Sequence, residues 1–414
     1  MRPRASRLSS IADNSGQRRH RPDYILVVLS VILMAIGLVV VYAISPGLVA
    51  QKKNVSENYY VIKQLVAVTM GVVSFLVVSR IPLAWWRRLR LPLIASAVAA
   101  SIAVRLFGEE VNGAYRWIQA GGLSFQAVEL IKLALLVWLA AFLADRMKKG
   151  DLSDMKKTTK PLLIALLIIG FVVAYLQSDL GSTGVMVVMM AAMAFVAGLP
   201  LKKVAMISGV IVIGATLLIS TNSYRRDRVL TFMHPERDCQ NAGYQACQAL
   251  IAVGSGGLVG KGLGHGAQAY GYLPEAANDS IFAIMAEKFG FVGIVIVLCL
   301  LMALFTRIKN VLERTPDNFS RLLIAGILAW LSTQAFINIG AMIGLLPLKG
   351  ITLPFISYGG TSVVFVTAAI GIVFQVSRYT TFGVNDKTEG KNNENSTDWR
   401  RNRRPHYAYS SRRA

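Results

Sequence analysis

Long apolar runs recur along most of this 414-residue chain, and they restrict it to one kind of fold. Each holds roughly 17–25 residues, the length at which a helix spans the hydrocarbon layer of a bilayer. About ten can be counted, near 24–45, 60–79, 91–107, 127–145, 161–177, 181–200, 204–220, 281–306, 322–346 and 363–377. With 54% hydrophobic residues, the composition excludes an ordinary soluble domain. The expectation is all-α: a polytopic integral membrane bundle of about ten transmembrane helices, with one large extracytoplasmic loop at 221–280. The first run follows a polar, Arg-rich stretch and is long enough to remain as a helix, so no cleavable signal peptide is read.

Lys and Arg placement sets the expected orientation. Arg2, Arg4, Arg7, Arg18, Arg19 and Arg21 precede the first run. Arg80, Arg87, Arg88 and Arg90, then Arg146 to Lys160, then Lys202 and Lys203, then Arg307, Lys309 and Arg314 fall in alternate connections. Both termini are therefore expected in the cytoplasm. The net charge of +22 reflects this topology, and about +10 of it lies in residues 1–22 and 378–414. Residues 1–22 and 379–414 read as disordered basic cytoplasmic tails lying against anionic lipid, flanking a membrane domain at 23–378. Nucleic acid is not an expected partner.

Cys299 sits inside an apolar run and reads as a small core residue. Cys239 and Cys247 share the long loop, where a local disulfide and two free thiols are both open readings. No His and Cys spacing suits zinc, so no protein metal site is expected. The run Gly254-Ser-Gly-Gly-Leu-Val-Gly-Lys-Gly-Leu-Gly264 fails the phosphate-loop pattern, because Ser255 and Gly262 stand where Gly and a hydroxyl residue are needed. Its glycines read as backbone freedom near a bulky ligand, and Ala246–Val253 as a short interfacial helix.

Charges in or beside the apolar runs carry the functional signal, since they are costly in a bilayer unless they pair or work. Leu273-Pro-Glu-Ala-Ala-Asn-Asp279 places Glu275 and Asp279 where a membrane helix meets water. Leu346-Pro-Leu-Lys-Gly-Ile-Thr-Leu-Pro-Phe-Ile-Ser-Tyr-Gly-Gly360, with Lys349 and Ser357, holds an equivalent place between two later runs. Glu129 and Lys132 are three apart on one helical face, either neutralising each other or binding a charged ligand. Arg116, Asp179, Arg225, Arg226 and Arg228 fall on the same outer side. The set reads as a basic, partly desolvated pocket suited to a diphosphate-bearing lipid. Glu287 and Lys288 read as a buried structural pair.

Four segments resemble the SEDS proteins (shape, elongation, division and sporulation). They are Gly113-Ala-Tyr-Arg-Trp-Ile118 with Gln126-Ala-Val-Glu-Leu-Ile-Lys132, Gln177-Ser-Asp-Leu-Gly181, Leu273 to Gly290, and Leu346 to Ser362. Lys349-Gly-Ile-Thr-Leu-Pro354 and Ala276 look more like the division and sporulation branch (FtsW and SpoVE) than the elongation branch (RodA). The family usually carries His-Thr-Asp-Phe where this chain has Ala277-Asn278-Asp279-Ser280. It also carries Pro where this chain has Ser178, and Pro-Ser where it has Ala127-Val128, with the acid kept each time.

The resemblance implies a peptidoglycan glycosyltransferase that polymerises lipid II into β-1,4 glycan strands during cell division. Asp279 matches the family's essential acid. Arg116, Glu129, Lys132, Asp179, Glu275, Lys349 and Ser357 are expected to meet substrate. A divalent cation (Mg or Mn) is open as a cofactor. Expected partners are lipid II, the growing strand, a class B penicillin-binding transpeptidase, other division proteins and membrane lipid, with the protein in the cytoplasmic membrane at the septum. A lipid-linked precursor flippase and a non-catalytic division scaffold are the competing readings. A carrier should hold its charges near the bilayer midplane and use broken helices, whereas these charges collect at one side.

Overall fold

A computed structural model describes residues 21–50, 56, 58–111, 114–120, 123–220, 232–233, 239–241 and 243–380. The two tails, apart from Arg21, Pro22, Tyr379 and Thr380, and Arg225, Arg226 and Arg228 lie outside the described residues. The chain opens with α1 (Tyr24–Ala50), α2 (Tyr59–Val78) and α3 (Leu83–Phe107). A small antiparallel sheet follows, β1 (Glu109–Val111), β2 (Ala114–Ala120) and β3 (Leu123–Gln126), with β2 in the middle. Then come α4 (Ala127–Lys149), α5 (Met155–Leu176, α-helical over Lys160–Ile169 and π-helical at both ends), α6 (Leu180–Val196) and α7 (Leu201–Ser220). After the long connection, which contains α8 (Tyr244–Ser255), the chain closes with α9 (Ile281–Glu313), α10 (Asn318–Met342) and α11 (Gly360–Ser377).

Among the described residues, eight helices are long and apolar enough to cross a membrane. The two other expected runs are helical as well, as α6, which is short at 17 residues, and α7. The bundle is thus helical as read from the sequence, with the three-stranded sheet as an addition.

Burial separates a centre from a ring. Over their most apolar stretches α11, α4 and α10 are 83%, 78% and 67% buried, against 11% for α3 and 22% for α2 and α9. In lipid an apolar surface needs no protein cover, so the ring helices keep exposed Leu, Ile, Val and Phe without penalty. Cys299 belongs to that surface: it is exposed on α9, not in the core. Local chemistry fixes the helix ends. Gly150, at φ 71°, closes α4 in the left-handed conformation after Arg146, Lys148 and Lys149, cations that suit a helix C-terminus.

α9 is broken at Gly290, whose φ of 65° no helix accommodates. The break frees backbone groups at membrane depth, and the glycine-rich segment satisfies them. Phe291 N–H and Val292 N–H donate to Gly257 O and Leu258 O at 2.9 and 3.0 Å. Lys261 N–H and Gly262 N–H donate in turn to Glu287 O and Lys288 O at 2.9 and 3.0 Å. A Cβ on Gly260 would stand 2.2 Å from Lys288 O, so these glycines serve close packing against α9 and not freedom near a ligand. Glu287 and Lys288 are buried as expected, but each pins this segment. Glu287 Oε1 accepts from Ala267 N–H at 3.1 Å, and Lys288 Nζ donates to Leu263 O at 2.8 Å. The expected short helix is α8, packed on α9, and a disulfide joins Cys239 to Cys247 across its start.

Candidate active site

At the end of the bundle that carries the α7–α9 connection, a cavity of about 670 Å3 gathers residues from many parts of the chain. Its walls include Arg116 on β2, Glu129 and Lys132 on α4, Asp179 before α6, Glu275 and Asp279 before α9, Gln334 on α10, and Lys349 after it. Seven of the eight residues expected to act are therefore in one place. Ser357 is the exception. It is 2% exposed, does not line the cavity, and its Oγ accepts the Leu353 N–H at 2.7 Å, which closes a turn of the second signature.

The two signatures are stitched together beside Asp279. Asn338 of α10, 2% exposed, donates through Nδ2 to Asp279 O and to Ile351 O, both at 2.7 Å. Tyr358 N–H donates to Ala277 O at 2.9 Å. Gly350 faces the carboxylate directly, a Cβ there lying 3.9 Å from Asp279 Oδ2. The Ala277-Asn278-Asp279-Ser280 stretch makes its own contacts: Asn278 Nδ2 donates to Glu275 Oε2, and Ser280 Oγ accepts from Gln245 Nε2 at 3.1 Å. Tyr358 also lines the cavity, its ring edge-on to Tyr60 at 5.5 Å. Burial, then Tyr59 and Tyr60, push the Tyr358 phenol above its ordinary pKa. At neutral pH it stays protonated and can donate a hydrogen bond.

Beneath these loops lies a buried ion pair. Lys132 Nζ and Glu129 Oε1 are 2.8 Å apart, both side chains almost inaccessible. Lys132 also donates to Gln334 Oε1 at 3.2 Å and stands 5.0 Å over the Trp330 ring. Gln334 continues to Thr352 O and Oγ1 at 3.0 and 3.1 Å, and Thr352 meets Ser362 of α11 at 3.0 Å. Glu129 Oε2 is buried with no hydrogen-bond partner among the described residues.

Asp179 caps α6, accepting from Ser182 N–H and Oγ at 2.9 and 2.8 Å. Arg116 holds the end of α5, donating to Gln177 O and Ser178 O at 3.0 and 2.7 Å. A guanidinium has five donors, so these bonds leave capacity for an anion.

The expected basic character is not found in the described lining. Arg116, Lys132 and Lys349 are outnumbered by Glu129, Asp179, Glu275 and Asp279. Two of those carboxylates have internal work, one neutralising Lys132 and one capping α6. Arg116 and Lys349 are the cavity cations outside that buried pair, with Glu275 and Asp279 opposite in charge on the same wall. Gln334, Asn338, Thr352 and Tyr358 were not anticipated from the sequence. The available signal was Trp330, Gln334 and Asn338 at a spacing of four, a polar-tipped stripe within an apolar run.

Residues 23–382 match the cell cycle protein family FTSW_RODA_SPOVE. The chain is 33% identical to stage V sporulation protein E of Bacillus subtilis over 88% of its length and 99% of that protein. It is 37% identical to the probable peptidoglycan glycosyltransferase FtsW of Nitrosomonas europaea, over 86% of this chain and 92% of the relative. Among solved structures, a chain of a peptidoglycan synthase complex that coordinates polymerisation and crosslinking superposes with a TM-score of 0.70. It is 27% identical, over 86% of this chain and 98% of that one. The rod shape determining protein RodA of Thermus thermophilus superposes with a TM-score of 0.63 at the same identity, over 87% and 98%. These matches run over nearly the whole of the relatives, and the chain belongs to the FtsW, RodA and SpoVE family.

Proposed function

We propose that this protein is a peptidoglycan glycosyltransferase that joins lipid II disaccharide units into β-1,4 glycan strands during cell division. The observation that carries the reading is Asp279 at a cavity wall with Arg116 and Lys349, at one end of a membrane bundle. The acceptor sugar hydroxyl attacks the anomeric carbon of the donor. A C–O bond forms, the bond to diphosphate breaks with inversion, and polyprenyl diphosphate departs. Asp279 takes the hydroxyl proton, as a carboxylate in a partly desolvated niche can do near neutral pH. Arg116 and Lys349 offset the charge that gathers on the leaving diphosphate.

A divalent cation, Mg or Mn, would suit the carboxylate excess in this cavity. Among the described residues no three His, Cys, Asp or Glu converge, and Glu275 is the cavity carboxylate that would help to hold the ion. It would supply further charge neutralisation to the leaving group.

The abundance of Lys and Arg at the opposite end favours both termini and that end in the cytoplasm, with the cavity on the outer leaflet. Division at the septum, with a class B penicillin-binding transpeptidase as partner, is our reading; likeness to FtsW proteins and to a chain of a synthase complex that coordinates polymerisation and crosslinking supports it. A flippase is the weaker reading. The break in α9 at Gly290 is of the kind a carrier uses, but a carrier's charges should lie near mid-membrane, whereas Glu275 and Asp279 precede the start of α9.

The test is polymerisation of purified lipid II with and without the transpeptidase, in Mg or Mn and with a chelator. Long strands from the native protein, and none from Asp279→Ala at equal folded yield, are expected. Strands from the Asp279→Ala protein would remove the assigned base.

A further inference from the structure

A second cavity, of about 940 Å3, lies at the opposite end of the bundle and belongs to no part of the reaction site. Asp145, on its wall, is about 20 Å along α4 from Lys132 at 1.5 Å per residue. Residues Leu83, Ala84, Arg87, Arg88 and Leu91 line it from one face of α3, at the three- and four-residue spacing that aligns side chains on a helix. Arg90 joins them. Asp145 fixes two of the guanidinium groups: Arg87 at 3.4 Å and Arg90 at 3.2 Å. Arg87 is also braced over the Phe319 ring at 5.3 Å.

The other carboxylate on the wall is spent internally. Asp317 Oδ2 accepts from Ser320 N–H and Oγ at 2.9 and 2.7 Å, capping α10. Three arginines thus exceed two carboxylates, and the wall carries a net positive charge. α3 is the least buried of the membrane helices, and Trp85 and Leu91 on it are 55% and 65% exposed. A Trp beside arginines at a helix end is the arrangement that sits at the lipid headgroup level.

We propose that this cavity binds the phosphate headgroup of an anionic phospholipid of the adjoining leaflet, with acyl chains running along α3. A braced arginine cluster recognises phosphate through paired N–H donors, and basic pockets between membrane helices suit such headgroups. The chain's own terminal segment is a poor occupant. Residues 381–414 carry twice as many Lys and Arg as Asp and Glu, the wrong sign for this wall.

Native mass spectrometry and thermal unfolding of the full-length protein, with phosphatidylglycerol or phosphatidylcholine added, test the proposal. Wild type should retain phosphatidylglycerol selectively and unfold at a higher temperature with it. Arg88→Gln, and Arg87→Gln with Arg88→Gln, should weaken that retention by about tenfold or more, while unfolding in phosphatidylcholine stays near wild type. Lys148→Gln with Lys149→Gln, exposed charges at the same depth outside the cavity, should leave retention unchanged. Equal losses in both sets would overturn the site in favour of diffuse surface attraction. Retention unaffected by the arginine changes, or no selective retention by wild type, would also overturn it. Displacement by millimolar glycerophosphate as effective as by lipid would assign the site to free phosphate instead.

Discussion

Asn338 holds the geometry of Asp279 without contacting any reacting group in the proposed transfer. One amide nitrogen, buried in α10, donates to the carbonyls of Asp279 and Ile351, one from each signature loop. The reverse amide orientation would set an oxygen against two carbonyls, so the assignment is fixed by its surroundings. Asn338→Ala strands both carbonyls and should cost about 1–3 kcal/mol of stability. Because a small displacement of a base is costly in rate, kcat for lipid II polymerisation should fall about tenfold to a hundredfold while KM stays near wild type. An unchanged kcat in a protein of lowered melting temperature would show a strut and nothing more. Asp279, Glu275, Lys132 and Glu129 were legible in the sequence because charge in an apolar run is expensive and therefore conspicuous. Asn338 and Gln334 were not, because an amide on an apolar run carries no formal charge. Ser357 was over-read, since a hydroxyl inside a signature can serve the turn itself.

Among the elements, the broken α9 shows what a hydropathy reading conveys and what it hides. The run from Ile281 was legible as one helix, and its outer third is a separate buried half-helix whose freed backbone groups are met by residues 257–262. The sheet of β1 to β3 was missed for a related reason: strands of three to seven residues leave no mark on a search for long apolar runs. α3 starts at Leu83, not near 91, because its first turns carry Arg87, Arg88 and Arg90, which hydropathy counts against a helix. The inserted segment makes a direct prediction. Gly260→Ala places a Cβ 2.2 Å from Lys288 O at a φ of 82°, and should destabilise the protein by about 1–3 kcal/mol. Gly254→Ala, in α8 with open space around it, should be neutral or stabilising by about 0.5–1 kcal/mol. Thermal unfolding of the two variants side by side checks the pair. Equal melting temperatures would mean that the segment does not complete α9 in solution.

Across the whole molecule, the three most buried helices are joined by one polar network that also forms the floor of the reaction cavity. It runs from Glu129 and Lys132 on α4 through Gln334 on α10 and Thr352 in the α10–α11 connection to Ser362 at the start of α11. Removing one member of a buried ion pair leaves its partner charged and uncompensated, which costs about 3–5 kcal/mol, whereas replacing both costs far less. Glu129→Ala and Lys132→Ala should each lose most of the folded yield, and Glu129→Gln with Lys132→Met should recover it. Stability alone would make the pair a strut. Glu129 Oε2, however, is buried at the cavity without a hydrogen-bond partner among the described residues, which sets an acceptor of the pair where a water, an ion or the substrate can meet it. The double variant should therefore fold, unfold near the wild-type temperature, and still polymerise lipid II at least about tenfold more slowly. Wild-type rates from that protein would assign the pair to architecture and leave the diphosphate to Arg116 and Lys349.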